Sequence, residues 1–573
     1  MGFFTFRRAA GAVFAILLSV PDAGYAQSGA GAYLAARQAA SDSDFETAAG
    51  YYTRALSKDP DNPSLLESVT ASQLALGQVD RALPVAKYME DLGLHSQVAH
   101  MVVVANLIAS GDFETLLARD VETGGIGPLV DGLVKGWAHM GAGSVAKALE
   151  QFDVVADESG LRGFALYHKA MALALVGDFE GADAVFAQED GRLAAMSRRS
   201  ALAWAEILSQ LGRNEAALEM LAETFSGVFD PSLTAVADKL AADETLPFDH
   251  ITSVRDGMAE VFFLIGAALN GETSGDYALI YARLAGYLRP DHIDALLLSA
   301  EILDGLGQYD LAVETYKQVP QDSPDHHAAE LGRAEALRRA AKPDAAIEVL
   351  ERLAQDYPTL PRVHSALGDL QRQEENYSAA VTAYDRALEF SEEDAQGRWF
   401  LLYARGISHE RLDQWDRAEA DFRAALALNP DQPQILNYLG YSLVEKQINL
   451  DEALGMIERA VAARPDSGYI VDSLGWVLYR LGRYQEAVGH METAVELMAV
   501  DPVVNDHLGD VYWAVGRVRE AEFQWKRALS FVDPDDLDAE ADPERIRRKL
   551  EVGLDEVLAE EGAEPLKVAD DER

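Results

Sequence analysis

The sequence predicts an all-α solenoid in which antiparallel helix pairs stack along the chain. Three observations carry this prediction. At 573 residues the chain is too long for one compact core. Glycines recur at Gly440, Gly475 and Gly509, about every 34–35 residues, as in helical repeat proteins. Apolar residues at i, i+3, i+4 and i+7 in each half of this period indicate two amphipathic helices, which bury their apolar faces only against neighbouring pairs.

Residues 1–26 have the pattern of a signal peptide. Arg7 and Arg8 precede an apolar stretch over 9–20, and Gly24-Tyr25-Ala26 is a small-x-small cleavage sequence. The apolar stretch is shorter than the roughly 20 residues that span a bilayer, so an uncleaved anchor is the second interpretation. We expect cleavage between Ala26 and Gln27 and export to a bacterial periplasm, with no integral membrane segment in the mature chain.

Residues 27–225 repeat less regularly. DFETAAGYYTRALSKDP (44–60) has the composition of one helix of a repeat, and five glycines then follow about one period apart. They are Gly77, Gly111, Gly143, Gly177 and Gly212. We predict degenerate helical repeats here. Residues 226–258 interrupt the period with Pro231 and Pro247, and we interpret them as a bend between two arrays.

Residues 259–534 form the well-matched array. The second half of each repeat carries alanines at close helix contacts (Ala453, Ala487, Ala521) and bulky residues between successive pairs (Phe422, Ile457, Met491, Trp525). Prolines that end second helices follow the same period, as Pro290, Pro358 and Pro430 show. These motifs resemble the tetratricopeptide repeat (TPR) family of exported bacterial proteins. That resemblance implies a right-handed superhelix whose first helices line a concave groove that binds proteins.

Residues 535–573 differ again from the repeats. An acidic stretch, DDLDAEADPE, leads into IRRKLEVGLDEVLAEE, which we predict to be one amphipathic helix that caps the solenoid. We expect the tail beyond about residue 562 to be loose.

Composition excludes several classes of function. The formal charge of −46 argues against nucleic acid and anionic membrane surfaces as partners. The chain has no cysteine, which excludes disulfides, thiol catalysis and an acylated lipoprotein anchor. We find no phosphate-binding loop or hydrolase motif, and therefore predict no enzymatic activity, no catalytic residues and no cofactor. His326 and His327, with Asp322 and Asp325 nearby, form a weak metal motif that we interpret as an ordinary loop.

The resemblance directs attention to the first helices of the last three repeats as the partner-binding groove. The candidate residues there are Asn437, Tyr441, Asp472, Trp476, Tyr479, Asp506, Asp510 and Trp513. Aromatic residues rimmed by carboxylates suit a protein or peptide partner with apolar anchors and basic residues. Two alternatives stay open: the tryptophans pack between helices, or the binding site is the acidic surface of residues 294–369.

These observations together predict a non-catalytic periplasmic scaffold or adaptor, plausibly in envelope assembly, where the envelope role rests on family analogy. The alternative is a carrier subunit of an envelope polysaccharide or lipid export machine, in which aromatic rows would stack on sugars.

Overall fold

The computed structural model describes residues 24–120, 125–188, 197–226, 229–393, 395, 397–532, 541–563 and 566. Every regular element in these ranges is a helix, so the predicted all-α solenoid is confirmed. Consecutive helices joined by short turns pack against each other in pairs, and the second helix of one pair packs on the first helix of the next. The predicted signal peptide lies outside the described residues except for positions 24–26, which begin a helix.

The chain divides into two compact units, Met1–Val349 and Leu350–Arg573. The described helices of the first unit are α1 (Gly24–Ser41), α2 (Phe45–Leu56), α3 (Pro63–Ala75), α4 (Val79–Asp91), α5 (Gln97–Ser110), α6 (Phe113–Ala118), α7 (Pro128–Gly141), α8 (Val145–Ala156), α9 (Arg162–Leu175), α10 (Phe179–Phe186), α11 (Arg198–Gln210), α12 (Asn214–Thr224), α13 (Pro231–Ala241), α14 (Val254–Leu269), α15 (Gly275–Leu288), α16 (Ile293–Gly305), α17 (Tyr309–Tyr316) and α18 (His326–Arg339).

The unit boundary falls within α19 (Pro343–Asp356). The described helices of the second unit are α20 (Pro361–Gln373), α21 (Tyr377–Phe390), α22 (Arg398–Arg411), α23 (Trp415–Leu428), α24 (Pro433–Glu445), α25 (Leu450–Ala463), α26 (Gly468–Arg480), α27 (Tyr484–Leu497), α28 (Pro502–Ala514), α29 (Val518–Phe531), α30 (Pro543–Val552) and α31 (Leu554–Glu560). Pro358 and Pro430 each stand two residues beyond the end of a second helix, where the missing N–H and the ring prevent another turn.

Each pair in the second unit is held together by a glycine opposite a bulky side chain. A Cβ atom added at Gly475 on α26 would lie 2.7 Å from Cγ of Met491 on α27, and one at Gly509 would lie 2.4 Å from Cδ1 of Trp525. Met491 and Trp525 are fully buried. The bulky residues that the sequence places between successive pairs therefore also fill the space over the glycine of their own pair. The absent side chain sets how closely the two helices approach.

The turns within pairs contain residues in the left-handed conformation. In most turns of the first unit this residue is a glycine that marked the period in residues 27–225, such as Gly77 with φ 73°, and Ser43 (φ 53°) makes the turn between α1 and α2. In the second unit the same turn is made by Glu375 (φ 60°), Asp413 (φ 57°) and Gly482 (φ 76°). The glycines of the two halves therefore report different features. Those of the first half mark turns, and Gly440, Gly475 and Gly509 mark helix crossings.

Pair α14–α15 also packs against helices far earlier in the first unit. Helix α14 contacts α7 and α9, and α15 contacts α3 and α5. Gly257 on α14 makes room for the buried Trp137 of α7, because a Cβ there would lie 2.5 Å from the indole ring. Nε of Arg283 donates to the backbone oxygen of Ala75, 3.2 Å away. These contacts join parts of the chain that the repeat pattern alone does not bring together.

Residues 226–258, predicted to be a bend, contain α13 and an irregular stretch fixed by buried contacts. Leu246 and Ile251 are buried in that stretch. The backbone N–H of Leu246 donates to Oγ of Ser209, 2.8 Å away, and Nη1 of Arg289 donates to the backbone oxygen of His250, 2.6 Å away. The segment is therefore tied to α11 and to the end of α15. That it bends the solenoid stays a prediction.

The predicted single helix near the C-terminus is two helices. Gly553 separates α30 from α31, and its φ of 88° lies in the region that only glycine adopts without strain. The alternation of apolar and charged residues runs through the glycine, so periodicity alone did not reveal the break. α30 packs on α29, and α31 turns back on α30.

We predict that Gly475→Leu destabilises the second unit by about 1–3 kcal/mol, because the new side chain must displace the fully buried Met491. Gly489→Leu is the matched control, since a Cβ there meets no atom within 4 Å. Urea unfolding followed by circular dichroism measures both changes. Equal stability of the two variants would show that the glycine–methionine contact does not limit the helix approach.

Candidate functional site

The predicted groove residues lie on three successive first helices of the second unit. Asn437 and Tyr441 lie on α24, Asp472, Trp476 and Tyr479 on α26, and Asp506, Asp510 and Trp513 on α28. Asn437, Asp472, Tyr479, Asp506 and Asp510 are buried. Tyr441, Trp476 and Trp513 are partly exposed. Only these three side chains offer surface to another molecule as the chain stands, and their role in binding stays a prediction.

Carboxylates on these helices accept hydrogen bonds from the next first helix along the chain. Glu410 on α22 accepts from the hydroxyls of Tyr438 (2.6 Å) and Ser442 (2.7 Å) on α24. Glu445 at the end of α24 accepts from Nε1 of Trp476, 2.8 Å away on α26. We call this series the carboxylate ladder. It links each first helix to its successor by polar contacts that flank the apolar core.

The ladder continues from α26 to α28 through a histidine. Nδ1 of His507 lies 3.0 Å from Oδ2 of Asp472, and both side chains are nearly buried. The His507 ring also stacks on Trp476, with ring centroids 4.0 Å apart and planes inclined by 14°. Trp476 stacks in turn on Tyr479, at 4.9 Å and 17°. Much of the Trp476 ring is thus covered by protein rings, and its indole N–H is already donated.

The ladder ends in a buried ammonium group on α30. Nζ of Lys549 lies 2.8 Å from Oδ2 of Asp506 and 2.7 Å from Oδ1 of Asp510, and the lysine side chain is fully buried. It also lies over the ring of Trp525, 5.8 Å from the centroid. Burial raises the pKa of Asp506, and the Lys549 charge opposes that shift. The acidic end of the predicted groove is therefore already occupied by a cation of the chain itself.

The second helix of the C-terminal segment covers the remaining tryptophan. Nε1 of Trp513 donates to Oδ2 of Asp555 on α31, 3.0 Å away. A Cβ at Gly553 would lie 2.6 Å from the Trp513 ring, so the glycine at the helix break makes room for that ring. The acidic and aromatic surface that the sequence assigned to a partner is in this way contacted by residues of the chain itself.

A cleft of about 440 Å³ remains between the C-terminal segment and the last pairs. Its walls include Trp476, Tyr479 and Tyr484 on one side and Arg545, Leu558 and Leu566 on the other. Burial strongly raises the pKa of the Tyr479 hydroxyl, and the nearby carboxylate of Asp510 adds to this, so the hydroxyl stays neutral. The cleft is aromatic with a charged rim, which suits a peptide side chain.

Sequence reasoning missed the basic members of the ladder. His507 stands 35 residues after its acceptor Asp472, one repeat length, so pairing acids and bases at that separation would have found it. Lys549 gave no such signal, because the segment from 535 does not follow the repeat period.

Several carboxylates of the alternative acidic surface of residues 294–369 are also paired within the chain. Asp294 is bound by Arg199, Asp304 by Arg339, and Glu335 by Arg338. Asp369 accepts from the hydroxyl of Tyr384, 2.8 Å away. Asp325, from the predicted weak metal motif, pairs with Arg198. In the described part of the chain no group of three or more histidine, aspartate or glutamate residues is arranged to hold a metal.

Arg199 belongs to a buried charge cluster in the first unit. Its Nε lies 2.8 Å from Oε1 of Glu260, a fully buried carboxylate on α14. The hydroxyl of Tyr167 donates to Oε2 of Glu260 (3.1 Å), and Nε2 of His292 lies 3.1 Å from Oε1. Burial alone would raise the pKa of Glu260, but the charges and hydrogen bonds of Arg199 and His292 together outweigh it and hold that pKa well below its usual range. The cluster joins α9, α11, α14 and α16.

Sequence profiles of the tetratricopeptide repeat match residues 306–370, 361–394, 403–467 and 445–502. A TPR repeat-containing protein of Pseudomonas aeruginosa is 37% identical over 83 residues, which cover 14% of this chain and 14% of the length of that protein. Among the ranges with described coordinates, no helix is both long and apolar enough to cross a bilayer.

Solved structures align as follows. The APC/C hetero-tetramer Cut9–Hcn1 covers 92% of this chain and 96% of that chain, with 14% identity and a TM-score of 0.39. The alignment with a tetratricopeptide repeat protein from Parabacteroides merdae covers 44% of this chain and 96% of that protein's chain, with 17% identity and a TM-score of 0.36. The alignment with MamA from Desulfovibrio magneticus covers 30% of this chain and 96% of the MamA chain, with 21% identity and a TM-score of 0.27.

We predict that Glu206→Gln stabilises the first unit at pH 8 but not at pH 4. Burial raises the pKa of Glu206 to about 8. Its carboxyl therefore stays protonated in the folded chain between pH 4.5 and 8 while it ionises in the unfolded chain, and stability falls as pH rises through that window. A glutamine at this position cannot ionise, so the fall in stability between pH 4.5 and 8 disappears.

Hydrogen exchange of peptides from α11 and α14 measures the effect. Glu215→Gln, at an exposed site on α12, is the control, and an equal response of both variants at pH 8 would contradict the assignment.

Proposed function

We propose that this chain, which is a tetratricopeptide repeat protein, is a scaffold that binds other proteins along the first helices of its last repeats and performs no chemistry of its own. The observation that carries the proposal is the matched repeat array at residues 306–502, because tetratricopeptide repeats are protein-interaction modules. The aromatic cleft beside α26, at the C-terminal end of that array, supports a site there.

The partner's chemistry follows from the ladder. The half-exposed carboxylate of Glu445 favours basic side chains, whereas Asp472 and Asp510 are buried and already paired with His507 and Lys549. The aromatic walls formed by Trp476, Tyr479 and Tyr484 favour apolar side chains. We therefore propose a partner segment with basic and apolar anchor residues. The rival role as a carrier for a polysaccharide machine needs free aromatic faces, and the Trp476 ring is already stacked on Tyr479 and His507.

The proposed location is the bacterial periplasm, and the proposed process is envelope assembly. The pattern of residues 1–26 supports export, and the envelope role follows by analogy with exported tetratricopeptide proteins.

We expect the full-length chain, used as bait in periplasmic extract, to capture a protein partner that the Trp476→Ala/Trp513→Ala variant captures at least tenfold less. Loss of both aromatic anchors removes most of the contact energy if they are binding residues. Trp415→Ala is the matched control, since Trp415 is a partly exposed tryptophan on the second helix α23. Circular dichroism must show the helical content of all variants unchanged. Undiminished capture by the double variant, or selective binding on a glycan array, would contradict the proposal.

We also expect the mature protein to begin at or near Gln27 and to fractionate with soluble periplasmic material. Mass spectrometry of the N-terminal peptide, together with osmotic-shock fractionation, tests this. Detection of Met1 in the membrane pellet would instead identify residues 1–26 as a retained anchor.

A further inference from the structure

The C-terminal segment of residues 541–563 is seated on the last repeat pair by one buried cation between apolar contacts. Lys549 is fully buried, as are Ile546 one turn before it and Leu554 five residues after it. Ala541 and Val557 are nearly buried. This is the pattern of an amphipathic helical ligand, with a central basic residue and aliphatic anchors on both sides.

We call the surface of the last repeat pair that holds this segment its seat. The seat requires a positive charge. Nζ of Lys549 lies within 2.7–2.9 Å of all four carboxylate oxygens of Asp506 and Asp510. Two buried carboxylates left without a cation repel each other and lose their hydration, so an apolar substitute cannot take the lysine's place. Only an occupant that supplies a basic group can replace this segment, and this gives the seat selectivity.

The segment is braced internally by its own ion pairs, and the described polar contacts that tie it to the repeats are few. Arg545 and Arg548 form ion pairs with Glu561 and Glu560, which join α30 to α31 within the segment. Among the described residues, the polar contacts with the repeats are those of Lys549, the Trp513–Asp555 hydrogen bond, and the 3.8 Å approach of Arg545 to Asp510. A cleft of about 440 Å³ lies between the described part of the segment and the α26 side of the surface that holds it.

We infer that the C-terminal segment occupies the binding site of a partner protein's amphipathic helix, which displaces it by inserting its own lysine or arginine between Asp506 and Asp510. This inference rests on the proposed function and specifies its ligand. The bound partner helix carries an aliphatic residue one turn before the basic residue, and it extends into the cleft beside Trp476. The chain's C-terminal segment competes with the partner helix for the seat. Because the segment is tethered, its effective concentration at the seat sets how strongly the partner must bind.

The test uses the full-length chain and a fluorescent synthetic peptide with the sequence of residues 541–563 as the probe. Lys549→Met weakens the tethered segment and leaves the carboxylates facing the seat. We expect this variant to bind the probe at least tenfold more tightly than the wild-type chain, measured by fluorescence anisotropy. A second probe with methionine in place of its lysine should show no such gain. Arg547→Met is the matched control, because Arg547 lies on the exposed side of the same helix.

A further variant, Asp506→Asn/Asp510→Asn/Lys549→Met, should lose the preference for the lysine probe. Two results would overturn the inference. In one, Lys549→Met binds both probes equally. In the other, peptides from residues 502–531 of the Lys549→Met variant lose their protection from hydrogen exchange. That result would show that the segment is a structural cap that no partner can replace. The assay needs no extract, so failure to capture a partner from the periplasm would count against the proposed function alone.

Discussion

The second unit depends on one steric constraint, the absence of a side chain where the two helices of a pair cross. At Gly406, Gly440, Gly475 and Gly509 any Cβ would overlap a bulky residue of the facing helix. The bulky residue differs from pair to pair, from phenylalanine to isoleucine, methionine and tryptophan. The glycine at the crossing is therefore constant from pair to pair, and the bulky residue that faces it varies. Because each pair stacks on the next in the same way, successive first helices lie side by side, and polar contacts between them become possible.

Those polar contacts give the acidic composition a structural role in the second unit. Glu410, Glu445 and Asp472 each accept a hydrogen bond from the following first helix, and the donors differ: tyrosine and serine, tryptophan, then histidine. A carboxylate accepts from any of these without a change of backbone. Stacking through the apolar core is non-directional, whereas these contacts fix the rotation of one pair relative to the next.

The sequence allowed the helix pairs, the crossing glycines and the ends of second helices to be predicted, because each follows from a local pattern that recurs. It did not predict Lys549, since a single basic residue outside the period has no repeated counterpart. It also missed the packing of α14 on α7, which places Gly257 against Trp137 over 100 residues away along the chain. Gly553 was hidden within an uninterrupted amphipathic pattern. Long-range contacts and breaks that occur once leave no periodic trace.

The ladder also constrains how this array could have changed by duplication or loss of repeats. A carboxylate accepts from several kinds of donor, so a copied pair keeps its rung wherever the next first helix offers an O–H or N–H. The Lys549 rung is different, because it places one cation against two buried carboxylates. A pair inserted between α29 and α30 would separate Asp506 and Asp510 from that cation, so the position of the C-terminal segment directly after α29 is the most constrained step in the order of the last helices.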